Sequence, residues 1–325
     1  MNEADRSRLA ALFAGTADTA RYPLDVLDGQ AATLLEVPAG KQLVTAQSAL
    51  QGGIHLSEGE SAERAASVAF CAVAAEVAAV GALPAWGTVS LAVPRDSGDW
   101  VQRFGARLVS LAEAVQMQLV AGPVQRGALS VHLQLHGVAE RGRVMRPTGA
   151  AVGDIIYVSG ELGGVAHCTD QLRRNGTPDE HCLRRWRAPV PRIGLGNYLS
   201  GVASSCVNVA SGLNQAAAAL TRLSGLGASI KLDALPLPDA VAELGVAGLD
   251  LALYGDGDCE LCFTAPPTAA VASSLAQIPP IMGRVTAIGT VDPEPGVRGI
   301  SARAQVVQLP TRGWRHFTGT TDIVL

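Results

Sequence analysis

Aromatic residues are scarce, at 4% of 325 positions, although 48% of the chain is hydrophobic. A core made from this sequence must be packed by Ala, Val and Leu, in Ala-rich helices and Val-rich strands. Lysine is nearly missing, with Lys41 and Lys231 the only two, and the formal net charge is −4. No broad cationic field exists to hold nucleic acid or an anionic membrane, so neither is expected as a partner. Long uninterrupted apolar runs are lacking too. The longest, Ala65 to Trp86, is dominated by alanine and broken by Glu76 and Gly81, which reads as a buried helix rather than a membrane span. Residues 1–20 mix Asp, Glu and Arg with short apolar pairs, so no secretion signal is read and a cytoplasmic location is expected.

Of the six cysteines, only Cys259 and Cys262 are spaced like metal ligands or a redox pair. They run on into Phe263-Thr264 as a strand-like segment, where residues three apart point to opposite faces. No zinc knuckle is expected there.

A chain of this length exceeds one usual domain, and 36 glycines with 18 prolines spread along it mark many turns. Strands are expected over 33–38 and 41–49, forming a hairpin around Pro38-Ala39-Gly40. A long helix starts near Ser61 and runs to Val80, with Gly81 as the residue after its end. A strand over 89–93 and a helix over about 100–118, capped by Ser97 or Asp99, follow. Over 130–138, Val131, Leu133 and Leu135 alternate with His132, Gln134 and His136, the period of a half-buried strand with both histidines on one face. The Gly/Pro-rich stretch 140–154 marks a boundary, giving an N-terminal domain of 1–145 and a C-terminal domain of 146–325. The second half shows helices near 163–174, 192–203, 212–226 and 268–277, and strands near 155–159, 228–233, 260–265 and 284–291. The fold class is α/β (α+β).

Several phrases then line up in order. Ala78-Ala79-Val80-Gly81-Ala82-Leu83-Pro84-Ala85-Trp86 ends the first long helix, and Ala121-Gly122-Pro123-Val124-Gln125-Arg126-Gly127 follows the second. Arg146-Pro147-Thr148-Gly149-Ala150, Pro189-Val190-Pro191-Arg192, Ser211-Gly212-Leu213 and Gly255-Asp256-Gly257-Asp258-Cys259-Glu260-Leu261-Cys262-Phe263-Thr264 come next, and Gly313-Trp314-Arg315-His316-Phe317 closes the series. Over about residues 20–320 the chain resembles the thiamine-monophosphate kinase family, in the aminoimidazole-ribonucleotide synthetase (PurM-like) superfamily. That resemblance implies a two-domain PurM-like fold, with an N-terminal domain whose sheet pairs with another subunit's as a dimer sheet or barrel. It implies a homodimer, ATP and Mg²⁺ as cofactors, and direct phosphorylation of thiamine phosphate to thiamine diphosphate, a reaction carried by positioning and charge neutralisation.

Carried over residue by residue, the resemblance exposes a coordinated loss. The family's Gly-Asp-Asp turn is Gly29-Gln30-Ala31 here, its Thr-Asp pair is Ala46-Gln47, and its Gly-Gly-Asp turn is Ala121-Gly122-Pro123. The Asp-x-Ser-Asp-Gly-Leu segment reads Asn208-Val209-Ala210-Ser211-Gly212-Leu213, and the glutamate of Gly-Gly-Glu-Asp is Gly257. Glu76 keeps the carboxylate of the helix Asp, while Asp258 and Glu260 survive; Asp28 lies next to the first turn. Gly122 and Arg146 match ATP-contacting positions, and His55 and Trp314 match positions at the thiamine phosphate; the family's tail-motif Asp is Arg315. Mg²⁺ takes hard oxygen ligands, and a neutral amide does not balance a dication. The leading expectation is a divergent, catalytically defective member with a ligand-binding, regulatory or assembly role, as a homodimer or a heterodimer with an intact paralogue. The alternatives are a working kinase with a metal site rearranged around Glu76, Asp258, Glu260 and Asp28, or a different activity on the same scaffold.

Overall fold

A computed structural model describes residues 3–22, 24–26, 32–94, 98–310 and 312 of the chain. Two compact units divide it, Met1–Met145 with Arg187–Gly201, and Arg146–Trp186 with Val202–Leu325.

The first unit opens with α1 (Glu3–Ala14), β1 (Asp25–Val26), β2 (Thr33–Leu34) and β3 (Lys41–Gln51), then α2 (Ala62–Ala79), β4 (Leu83–Val93), α3 (Gly98–Ala114), β5 (Gln118–Arg126) and β6 (Ser130–Glu140). Four of the strands form an open sheet in the order β3-β6-β4-β5. The 33–49 hairpin does not form. β2 pairs with β1, and β3 instead pairs along its whole length with β6, from Lys41↔Glu140 to Gln51↔Ser130. The Pro38–Lys41 turn is present, closed by the Lys41 N–H donating to the Pro38 carbonyl, but eleven matched residues of β6 outcompete a two-residue strand as partner.

Helix α2 begins where the Ser61 hydroxyl accepts from the Arg64 N–H, and it buries Ala65, Ala66, Ala69, Phe70, Val73, Ala74 and Val77. Small alanines let the helix lie close to the sheet. Gly81, at φ 80°, provides the left-handed residue just past its end. The apolar stretch is therefore not one helix to Trp86. It turns at Gly81, and Leu83–Trp86 begins β4, with Pro84 near the strand start where a missing N–H costs least. Helix α3 buries Val101, Phe104, Leu108 and Ala112, the spacing of one helical face. It ends sooner than expected, because Gln118–Arg126 is β5, a strand hidden in the sequence by Gly122-Pro123.

The second unit starts with β7 (Ile155–Ser159), α4 (Gly164–Arg173) and α5 (Glu180–Arg187). Next along the chain, α6 (Ile193–Leu199) belongs to the first unit, where Gly196 approaches α2 so closely that a Cβ would lie 2.0 Å from the Ala78 carbonyl oxygen. The chain continues through β8 (Ser205–Asn208), α7 (Leu213–Arg222), β9 (Gly227–Lys231), α8 (Asp239–Ala242), α9 (Val246–Tyr254), β10 (Leu261–Ala265), α10 (Ala269–Ala276), β11 (Val285–Asp292), β12 (Gly296–Ile300) and β13 (Val306–Gln308). Seven strands order as β13-β12-β9-β11-β7-β10-β8. Ile156, Val158, Ile230, Cys262 and Ile288 from this sheet pack with Leu213, Ala217 and Leu220 of α7. Among the described residues no helix is long and apolar enough to cross a membrane.

Candidate functional site

The first unit carries its site positions on the sheet and on α2. Gln47 is exposed on β3, opposite Gln134 of β6, which in turn faces Thr88 of β4. Gly122 and Pro123 together oppose the single residue Ser90, since the β4–β5 register shifts between Val89 and Leu91. A proline suits that bulge because no ladder N–H is needed there. At Gly122 a Cβ would lie 2.6 Å from the Ser90 hydroxyl and 2.7 Å from the Val89 carbonyl, so the position requires glycine for packing alone. Glu76 is exposed on α2. His55 is half-buried, its Nδ1 accepting from the Gln51 N–H at 3.1 Å, a local turn contact.

In the second unit, Asn208 and Ser211 lie beside the loop that leads into β10. Asn208 pairs with Leu261, the Val209 N–H donates to the Glu260 carbonyl, and the Gly257 N–H donates to the Ala210 carbonyl. The Asn208 side chain accepts from the Ala210 N–H at 2.9 Å and so closes a turn. Gly257 stands at φ 93°, a backbone state that glutamate rarely adopts. Arg146 is exposed. The positions Asp28, Gln30, Ala31, Trp314 and Arg315 lie outside the described residues.

Asp258 and Glu260 are brought together, and not as open metal ligands. Asp258 is 3% exposed; its carboxylate accepts from the Gly163 N–H at 2.5 Å and the Val165 N–H at 3.4 Å, filling the N-terminus of α4. An anion at that helix end is stabilised by the free N–H groups and the helix dipole, and here the protein supplies its own. Glu260 is 2% exposed and accepts from the Ser159 hydroxyl at 2.6 Å. That hydroxyl also accepts from the Leu261 N–H at 2.9 Å. Arg185 of α5 then binds both acids, its guanidinium 3.1 Å from Glu260 and 3.6 Å from Asp258, while donating to the Glu161 carbonyl at 2.7 Å. Glu161 also holds His181 at 2.6 Å.

The electrostatics follow from that packing. Burial pushes the Asp258 carboxyl up to about 6; the Arg185 guanidinium and the Gly163 and Val165 N–H groups pull it down, and the neighbouring Glu260 charge pushes it up. Burial dominates, so this is an acid held in the interior rather than one poised over solvent. The cluster fastens the Ser159–Gly164 turn: Gly160, at φ 58°, leaves the space in which a Cβ would lie 2.1 Å from a Glu260 oxygen. Ser159 and Glu161 stand in Ser159-Gly160-Glu161-Leu162-Gly163-Gly164, which reads in the sequence as a tight strand-to-helix turn, while Arg185 carries no such mark of its own. A signal for a counterion exists, since Asp258 and Glu260 at the head of a fully buried strand require a cation nearby.

These residues do not fit the magnesium–nucleotide group that the resemblance implies. Both surviving acids of the 255–260 loop are engaged by the turn and by Arg185. Among the described residues, no group of three or more His, Cys, Asp or Glu is placed to hold a metal ion.

Comparison with known proteins decides the family. The family described as AIR synthase related protein, N-terminal domain, matches residues 29–139. Thiamine-monophosphate kinase of Salmonella typhimurium is 34% identical over 255 residues, covering 76% of this chain and 78% of that protein. The chain belongs to the thiamine-monophosphate kinase family. A crystal structure of thiamine-monophosphate kinase from Stenotrophomonas maltophilia K279a superposes with a TM-score of 0.82 at 30% identity, over 90% of this chain and 95% of that one. A structure described as AaThiL complexed with AMPPCP and TMP shares the fold, with a TM-score of 0.75 at 24% identity over 92% and 91% of the two chains. This member of the kinase family thus has the PurM-like scaffold.

Proposed function

We propose that this chain is a thiamine-monophosphate kinase relative that has lost magnesium-dependent phosphoryl transfer and serves as a homodimeric ligand-binding, regulatory or assembly protein. The observation that carries this reading is the Arg185 cluster, in which both acids retained in the 255–260 motif are already neutralised and hydrogen-bonded. With Gln47, Pro123, Asn208 and Ser211 in place of acids, and Gln30 and Ala31 at the first turn, these positions carry none of the charge that several divalent ions on a triphosphate require. Such a loss leaves phosphate and ring recognition as separate matters. Arg146 and Gly122 are the candidate phosphate contacts, and His55 and Trp314 the candidate contacts for thiamine phosphate, the class of ligand named with AaThiL.

Isothermal titration with Mg-ATP, and separately with thiamine monophosphate and diphosphate, tests this. Thiamine phosphate binding without Mg-ATP binding supports a sensor or scaffold. Tight Mg-ATP binding contradicts the loss of the metal site, and binding of neither ligand redirects the proposal to assembly with another protein, including an intact paralogue. Glu76, still acidic and exposed, favours one second reading, a kinase with its metals rearranged around that carboxylate. Its signature is Mg-ATP affinity that disappears in Glu76→Ala.

A further inference from the structure

Beyond β13 the chain leaves the sheet edge and passes the ends of two helices of the second unit. Leu309 packs against the core of that unit. The carbonyl of Pro310, an exposed residue, accepts from Nδ2 of Asn214 at 3.1 Å. Asn214 is the second residue of α7 and is only 4% exposed. A carbonyl can only accept, so the amide nitrogen has to face Pro310 and Oδ1 is turned away from it. That oxygen is buried and has no hydrogen-bond partner among the described residues. Two residues further on, Arg312 reaches the field of Tyr254 at the end of α9. Burial raises the Tyr254 pKa, the Asp250 charge adds to the rise, and Arg312 opposes it. The ends of α7 and α9 are themselves fastened together. Gly212, at φ 98°, approaches α9 so closely that a Cβ would lie 2.9 Å from the Leu253 carbonyl oxygen.

We propose that Asn214 is a positioning residue, which anchors the tail at Pro310 and thereby sets how tightly Trp314 holds thiamine phosphate. The proposal rests on the reading of Trp314 as a contact for that ligand and adds what places it. Trp314 follows Pro310 by four residues, so even a fully extended chain keeps it within about 14 Å of the anchor. Without the anchor, ligand binding has to bear the entropy of ordering the tail.

The chemistry of the position favours a role other than stability. A buried acceptor without a partner costs at least as much as one hydrogen bond to an exposed carbonyl returns. The Pro310 carbonyl, once released, turns to water. Leucine has nearly the shape of asparagine and no polar side-chain atom, so it would serve the interior as well or better. What leucine cannot do is donate to the tail.

Asn214→Leu in the full chain tests this by three readouts. Tryptic cleavage after Arg312 and Arg315 is expected to speed up by about 3- to 10-fold, the factor that one hydrogen bond is worth, with cleavage elsewhere in the second unit unchanged. The unfolding temperature is expected to stay level or rise, because the unpaired oxygen is gone. Isothermal titration with thiamine monophosphate is expected to show a Kd raised by the same factor, and this effect is expected to vanish in a Trp314→Ala background. Should Asn214→Leu not fold, Asn214→Ala reads the same cleavage and the same Kd. Unchanged cleavage at the tail overturns the anchor. A lowered unfolding temperature with cleavage raised throughout assigns Asn214 to stability alone and overturns the proposal. A Kd raised equally with and without Trp314 overturns the route through the tail. A wild-type chain that binds no thiamine phosphate, or a Trp314→Ala variant that binds it as tightly as the wild type, overturns the Trp314 reading and the ligand claim together, while the cleavage rates still decide the anchor.

Discussion

Arg185→Met is the most informative single change, because it removes one charge from a buried cluster and keeps the volume of the aliphatic stem. In the native protein the guanidinium lies 3.1 Å from Glu260 and 3.6 Å from Asp258, and both acids are almost fully buried. Stripping a buried carboxylate of its partner costs about 3–5 kcal/mol. Asp258 limits that cost by taking up a proton. Its pKa stands at about 6 with Arg185 in place and moves further up without it, at about 1.4 kcal/mol per unit. A loss of about 3 kcal/mol at pH 7.5 is therefore expected, shrinking toward about 1 kcal/mol near pH 5, where Asp258 is already protonated. In the thermal unfolding of this unit that is a drop of roughly 6–12 °C at neutral pH. Scanning calorimetry at the two pH values reads it directly. A loss below about 1 kcal/mol at neutral pH, or one that grows on acidification, refutes the buried-cluster account.

The same cluster predicts the behaviour of Asp258→Asn. With the folded pKa at about 6 and the unfolded value near 3.9, the folded state holds the extra proton between the two, so this group's contribution to stability falls as pH rises through that window. The wild type minus variant stability difference is expected to decline by about 2 kcal/mol from pH 4 to pH 7, measured by urea unfolding. Gly160→Ala puts a Cβ at φ 58° and 2.1 Å from Glu260, and a cost of roughly 2–4 kcal/mol is expected from the shift in urea midpoint. Ser61→Ala removes the acceptor of the Arg64 N–H at the start of α2 and is expected to cost about 1 kcal/mol in the same assay.

Much of the fold is legible in the residues alone. Ser61, the alanine run and Gly81 delimit α2 within a residue or two, and the Val131–Leu135 alternation puts His132 and His136 on one face as β6 requires. Local signals mislead where they compete with distant pairing. The Pro38–Gly40 turn looks like a hairpin, yet only the sheet determines that β3 belongs with β6. Gly122-Pro123 looks like a loop, yet the bulge opposite Ser90 accommodates both within β5. At the candidate site, the neutral replacements Gln47, Pro123, Asn208 and Ser211 are visible one by one. The use made of Asp258 and Glu260 is not, because Arg185 lies more than seventy residues away in sequence and its helix carries too mixed a pattern to mark one residue as their counterion.

The proposed loss of magnesium-dependent phosphoryl transfer can be measured on the scaffold itself. Incubating the purified chain with ATP, Mg²⁺ and thiamine monophosphate, and measuring thiamine diphosphate by chromatography, tests it most directly. Product formation no greater than in the protein-free control is the predicted result. Magnesium-dependent turnover that is lost in Glu76→Ala would contradict it.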